Sequence, residues 1–243
     1  MIDDLSDRQT QILKAVIEEY IEDAKPVGSE VLERKYALGV SPATIRNEMV
    51  RLTEKGYLKQ PFISAGRAPT SKGLRFYVDR LMKEKELSVT EEVAAKEKVW
   101  DMRFDPDELM REAVVALAER TKTLAVGGIE GEHVWHAGEG NVLRFQEFYN
   151  IDVTHSVLTM LDEMDRINQL FFEGERTPLS VIFGEELGWN YFEPVSMVVG
   201  RFATREGRAG CLGVIGPARL NFARIVPNVR LFSQVVNDLV NQA

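Results

Sequence analysis

Apolar positions along the first eighty residues recur at helical spacing, separated by residues that break helices. Leu5, Ile12, Leu13, Val16, Ile17, Tyr20 and Ile21 form one stripe, opened by Ser6 and Gln9 at capping-box spacing and broken at Lys25-Pro26-Val27-Gly28. A short helix is predicted from Ser29 to about Tyr36, with Val31, Leu32 and Tyr36 inward. After the turn Leu38-Gly39-Val40, Ser41 offers an N-cap hydroxyl and Pro42 fills the first helical position. A third helix therefore runs from Pro42 to about Lys55 and ends at Gly56. Residues 57–62 read as a strand, residues 64–70 as a loop, and Ser71 to Met82 as a helix with Leu74, Tyr77, Val78 and Leu81 inward. Three helices, a strand, a Gly-Arg loop and a return segment make a winged helix-turn-helix.

The remainder alternates. Ser88 with Glu91 caps a helix of thin apolar face, following the charge run Lys83-Glu84-Lys85-Glu86. Asp105-Pro106-Asp107-Glu108 opens another, reaching about Thr121. Short strands are predicted at 124–128, 134–137 and 179–183, and a long amphipathic helix over 153–172. Strands 195–203 and 208–215 flank Thr204-Arg205-Glu206-Gly207, a hairpin turn, and a helix from about Asn228 to Asn241 closes the chain. The expected fold class is α+β, with a mainly antiparallel sheet and flanking helices in the second part. The expected domains are a DNA-binding unit over residues 1–82, a helical linker over 83–105 and a sensor or dimerisation domain over 106–243.

Charge changes this picture. The 243 residues carry a net charge of −8, which argues against nucleic acid until its distribution is considered. Residues 41–85 hold 10 basic and 4 acidic side chains, whereas residues 86–243 hold 15 and 25. A basic stretch confined to one region is the footprint expected of a DNA contact, because attraction to phosphate is local under salt screening. No apolar run approaches a membrane span, and the acidic opening Met1-Ile2-Asp3-Asp4 lacks the basic and apolar regions of a signal peptide. One cysteine, Cys211, leaves no intrachain disulfide framework. The expected location is the cytoplasm.

In the third helix Ile45, Met49 and Leu52 face the core, so the opposite side presents Ala43, Thr44, Arg46, Asn47, Val50 and Arg51. Arg forks onto guanine, Asn pairs with adenine, and small methyl groups touch thymine, so this face suits the major groove. The plainer alternative is a helical hairpin with a solvated outer face, which would carry more Glu and Lys. The candidate DNA contacts are Ser41, Ala43, Thr44, Arg46, Asn47 and Arg51 from the helix and Lys59, Gln60 and Arg67 from the wing, with Arg67 expected at the wing tip. Other chemistry finds little support. His133 and His136 would point to opposite faces of a strand, His155 is remote, and Cys211 lies in an apolar Gly-rich segment. No phosphate loop, nucleophile elbow or His-Glu-x-x-His occurs. Neither an enzymatic activity, a cofactor nor a metal site is expected.

Residues 5–82 closely resemble the HrcA-type heat-inducible transcription repressors. The likeness is carried by Pro26-Val27-Gly28-Ser29, Ser41-Pro42-Ala43-Thr44-Ile45-Arg46-Asn47, Gly56-Tyr57-Leu58-x-Gln60-Pro61, Ser64-Ala65-Gly66-Arg67-x-Pro69-Thr70 and Tyr77-Val78-Asp79. Residues 210–220 are similar to the strand and Gly-Pro turn that end the family's GAF-like domain. The resemblance implies a repressor of an inverted-repeat operator upstream of chaperone operons, inactivated by heat, acting as a homodimer and assisted by the chaperonin. Family members generally carry a dimerising insert, for which this chain has no room between Leu124–Gly128 and Glu132–His136. Dimer contacts are expected instead from the helix of residues 88–103, through Val93, Val99 and Trp100, and from the GAF-like helices. An alternative within regulation is control by a small molecule bound in the GAF-like domain.

Overall fold

The computed structural model describes residues 5–172 and 177–242. The residues Met1, Ile2, Asp3 and Asp4, whose acidity bore on the signal-peptide reading, lie outside them. The chain divides into two compact units between Lys83 and Glu84.

The first unit opens with α1 (Asp7–Asp23), entered through the expected Ser6–Gln9 capping box. It continues with α2 (Ser29–Lys35) and α3 (Pro42–Glu54), then strands β1 (Leu58–Lys59) and β2 (Ala68–Pro69). Helix α4 (Ser71–Phe76) runs straight into a π-helical turn, Tyr77–Leu81. The core joins Ile12, Leu13, Val16 and Ile17 of α1 to Leu32, Ile45, Leu52 and Leu74. The strand expected over residues 57–62 shrinks to two residues, because only Leu58 and Lys59 find a partner, opposite Pro69 and Ala68.

The second unit comprises α5 (Val89–Trp100), α6 (Pro106–Thr121), β3 (Leu124–Ile129), β4 (Val134–Ala137), α7 (Ile151–Asp162), α8 (Met164–Ile167), β5 (Leu179–Phe183), α9 (Gly184–Leu187), β6 (Val195–Ala203), β7 (Ala209–Pro217) and α10 (Phe222–Val240). The strands form one antiparallel sheet in the order β4-β3-β7-β6-β5, so the expected α+β class and sheet type are found. Helices α6 and α10 pack on one face of the sheet. At Gly200 of β6 a Cβ would collide with Ser233 of α10, so the missing side chain lets that helix lie close. The other face, built from Val126, Val199, Cys211 and Ile215, packs against Phe148, Val157, Met160 and Phe171.

Three elements differ from the periodicity. The helix expected over residues 153–172 breaks at Glu163, giving α7, α8 and a π-helical turn at Asn168–Phe172. Arg201 of β6 secures its far end, donating to the Leu170 and Phe171 carbonyls at 3.1 Å each and to Ser180 at 2.6 Å. The last helix begins at Phe222 rather than about Asn228, with Pro227 inside it. Proline lacks the N–H that would reach the Ala223 carbonyl. The Lys85 N–H supplies the missing bond at 2.8 Å, and Glu84 pairs with Arg230 of the same helix. Finally, α5 is no free linker: it turns Ala95 and Val99 inward against α6 and α10. Val99 is therefore unavailable to a partner, while Val93 and Trp100 stay exposed.

The Arg230 guanidinium holds the Glu84 carboxyl below its usual range. A depressed carboxylate stabilises the fold above its unfolded pKa, and that contribution disappears as pH falls through the depressed value. Glu84→Gln should lower the calorimetric melting temperature of the second unit at pH 7. The gap from the parent should close as the solution is acidified.

Candidate nucleic-acid interface

Helix α3 is seated by one row of side chains and left bare along the opposite row. Ile45 and Leu52 are wholly buried and Met49 nearly so, whereas Ala43, Arg46, Asn47, Val50 and Arg51 are exposed. The Ser41 hydroxyl caps the helix by accepting the Thr44 N–H at 3.3 Å, and it also meets the Thr44 hydroxyl at 3.1 Å. Such a cap stabilises a helix by about 1 kcal/mol. It holds Ser41 and Thr44 at the start of the bare row.

A polar residue, invisible to apolar periodicity, locks the rotation of α3. Glu48 is buried and accepts from Gln9 Nε2 at 3.0 Å, while Arg51 closes on its other oxygen at 2.8 Å. Gln9 also completes the α1 capping box through its carbonyl oxygen. One glutamine thus joins the start of α1 to the middle of α3. Glu19 performs the same office for α2, taking Lys35 and the Tyr36 hydroxyl. Burial, with Glu19 alongside, pushes the Tyr36 phenol up to about 12. Nothing in the apolar spacing signals the burial of Glu48 and Gln9, because both are ordinarily surface residues.

The wing departs from expectation at Arg67. Its backbone pairs with Val27 in both directions, at 2.7 and 2.9 Å, and its Nε donates to Thr53 Oγ1 at 3.0 Å. Arg67 therefore lies at the base of the wing, not at its tip, because the two-residue ladder ends before reaching it. Gln60 turns inward on the loop and donates to the Ile63 and Ala65 carbonyls at 2.8 and 3.1 Å. Lys59 remains exposed. The tip is occupied by Phe62 and Ile63, which the sequence reading left without a role. Arg46 lines a groove together with Gln60, Ile63 and Gly66, so the wing and α3 border one surface.

The histidines and the cysteine of the second unit lie apart from one another. His133 meets Trp135 edge to face at 4.3 Å, His136 reaches Glu139 at 2.5 Å, and His155 stands exposed on α7. Among the described residues, no group of three or more His, Cys, Asp or Glu side chains is arranged to hold a metal. Cys211 is completely buried, and burial pushes its thiol up to about 12. No helix among the described residues is long and apolar enough to cross a membrane.

A helix-turn-helix with a wing, followed by a five-stranded antiparallel sheet between helical layers, defines a two-domain winged-helix protein. The family model for the HrcA protein C terminal domain matches residues 48–226, and the chain belongs to the HrcA family. It is 47% identical over 129 residues to the heat-inducible transcription repressor HrcA of Thermobifida fusca (strain YX), covering 52% of this chain and 37% of that protein. In such alignments the chain spans little more than a third of the relative's length. A second relative of that name, from Desulforudis audaxviator (strain MP104C), is 28% identical over 340 residues and 98% of both chains. That alignment is longer than the 243 residues here, so the relative carries segments this chain lacks. A crystal structure described as a hypothetical protein matches the fold with a TM-score of 0.78 at 22% identity, covering 97% of this chain and 98% of its own.

Gly66 permits the close approach at the wing base, since a Cβ there would collide with the Val27 carbonyl. Gly66→Ala should destabilise the first unit by ~1–3 kcal/mol through overpacking. Hydrogen exchange should show the Val27 and Arg67 amides losing protection ahead of those in α1.

Proposed function

We propose that this protein is a heat-inducible transcription repressor, acting in the cytoplasm on an inverted-repeat operator upstream of chaperone operons. The observation that carries the reading is the bare row on α3, opposite a fully seated one and beside a wing, in a chain of the HrcA family. Residues 1–82 would read DNA, residues 106–243 would carry the sensing part, and the dimer contact would fall on the helix that precedes them. Ala43, Thr44, Arg46 and Asn47 are assigned to base edges and Ser41 and Lys59 to phosphates, while Arg51, bonded to Glu48, is assigned to orienting α3 and reaching phosphate only through its exposed edge. Gln60 and Arg67 act by positioning the wing, given the bonds their side chains already make.

An inverted repeat calls for a two-fold dimer. The tight β3–β4 connection, closed by the Glu132 N–H to the Ile129 carbonyl at 2.9 Å, has no space for an inserted segment. We assign the dimer contact to the outer face of α5, where Val89 is 76%, Val93 46% and Trp100 48% exposed. Heat release is assigned to the helical layer broken at Glu163, since a layer of short pieces opens at lower cost than one long helix. Cys211 lies beneath this layer and reports its opening.

Two experiments test these assignments. The first is a gel shift against an inverted-repeat operator across temperature, with thiol labelling of Cys211 in parallel. Operator release and Cys211 labelling should rise over the same interval. Arg46→Ala and Asn47→Ala should each lose ~1–3 kcal/mol of specific binding; unchanged binding in both would overturn the reading-helix assignment. The second is analytical ultracentrifugation, in which Val93→Glu with Trp100→Glu should convert a dimer to monomer. A parent that is monomeric with and without operator would sink the dimer.

A further inference from the structure

The wing ends in two large apolar side chains that nothing in the first unit covers: Phe62 is 62% exposed and Ile63 99%. Turn tips ordinarily carry small or polar residues, so an apolar pair placed there gains nothing for the fold itself. The loop bearing them is nevertheless well braced. Gln60 holds the Ile63 and Ala65 carbonyls, the Ala65 N–H donates to the Phe62 carbonyl at 2.9 Å, and Pro61 restricts the backbone just before Phe62. A braced tip loses little conformational freedom on binding, which suits a probe rather than a spacer.

Its surroundings say what it probes. Exposed Lys59 lies on the adjoining strand, and Ile63 shares a groove with Arg46 of the reading helix. Residues 41–85 carry 10 basic against 4 acidic side chains, a frame suited to a polyanion. Apolar side chains presented to DNA in such a frame act as wedges between base steps in the minor groove.

We infer that Phe62 and Ile63 form an apolar wedge that enters the minor groove beside the half-site read by α3, partly unstacks one base step and bends the duplex. The inference rests on the DNA-reading proposal above and adds a source of specificity to it. Flexible pyrimidine–purine steps unstack most cheaply, so the preferred sites should place one under each wing tip.

The test uses full-length protein and duplexes that the parent selects from a random-sequence pool, with 2-aminopurine substituted in turn at flanking adenines. The parent should raise 2-aminopurine fluorescence at one step per half-site and bend the duplex in circular-permutation gels. The double variant Phe62→Ser, Ile63→Ser should keep the parent's melting temperature, since neither side chain is buried. It should lose both signals and bind roughly tenfold more weakly, with base preference inside the half-site unchanged. If the double variant binds and bends DNA as the parent does while Arg46→Ala loses selectivity, the wedge is overturned and the DNA reading stands. If the parent selects no sequence and Arg46→Ala changes nothing, both fall. If the double variant loses self-association without DNA, the pair is a contact between copies and the wedge is overturned.

Discussion

A carboxylate, that of Glu48, lies buried between α1 and α3, and the orientation of α3 depends on how that charge is satisfied. Left alone, a buried carboxylate costs several kcal/mol, on the order of what holds a small domain together. Here Gln9 meets one oxygen and Arg51 the other. These bonds are directional, unlike the contacts of Ile45, Met49 and Leu52, which would tolerate a helix rotated by some tens of degrees. Apolar burial thus holds α3 against the unit, and the Glu48 network fixes which side chains face outward. The same α1 supplies Glu19 to hold α2, so both helices of the helix-turn-helix are referenced to one neighbour.

The second unit is asymmetric about its sheet. One face of its sheet carries α6 and α10, each more than four turns long, with Gly200 letting α10 settle close. The opposite face is covered by short helical pieces on either side of Glu163, tied down by the Arg201 guanidinium. Burial lowers the pKa of that half-buried guanidinium. A layer assembled from such pieces gains less from helical cooperativity than a continuous helix would. Its apolar side chains, Phe148 and Phe171 among them, nonetheless pack in one cluster with the sheet residues.

Helix positions were largely legible because caps and periodicity are local. Ser6, Ser41, Ser88 and Asp105 each cap the helix their spacing announces. The hairpin of β6 and β7 and the short β3 and β4 also lie close to where alternation places them. Where reading failed, a distant partner had intervened. Pro227 stays inside a helix because Lys85, far away in sequence, supplies the bond that proline cannot. Val99, part of what seemed an outward stripe, is claimed by α6 and α10.

The sequence by itself therefore determined the winged helix-turn-helix, the antiparallel α+β class and the row of α3 that faces outward. These follow from hydrogen bonds and periodicities spanning a few residues. Tertiary structure alone decided that Glu48 and Gln9 lie inside, that Arg67 braces the base of the wing, and that Phe62 and Ile63 are left at its tip. Each of these outcomes depends on which groups meet across the fold, and that information is not contained in the spacing of neighbours along the chain.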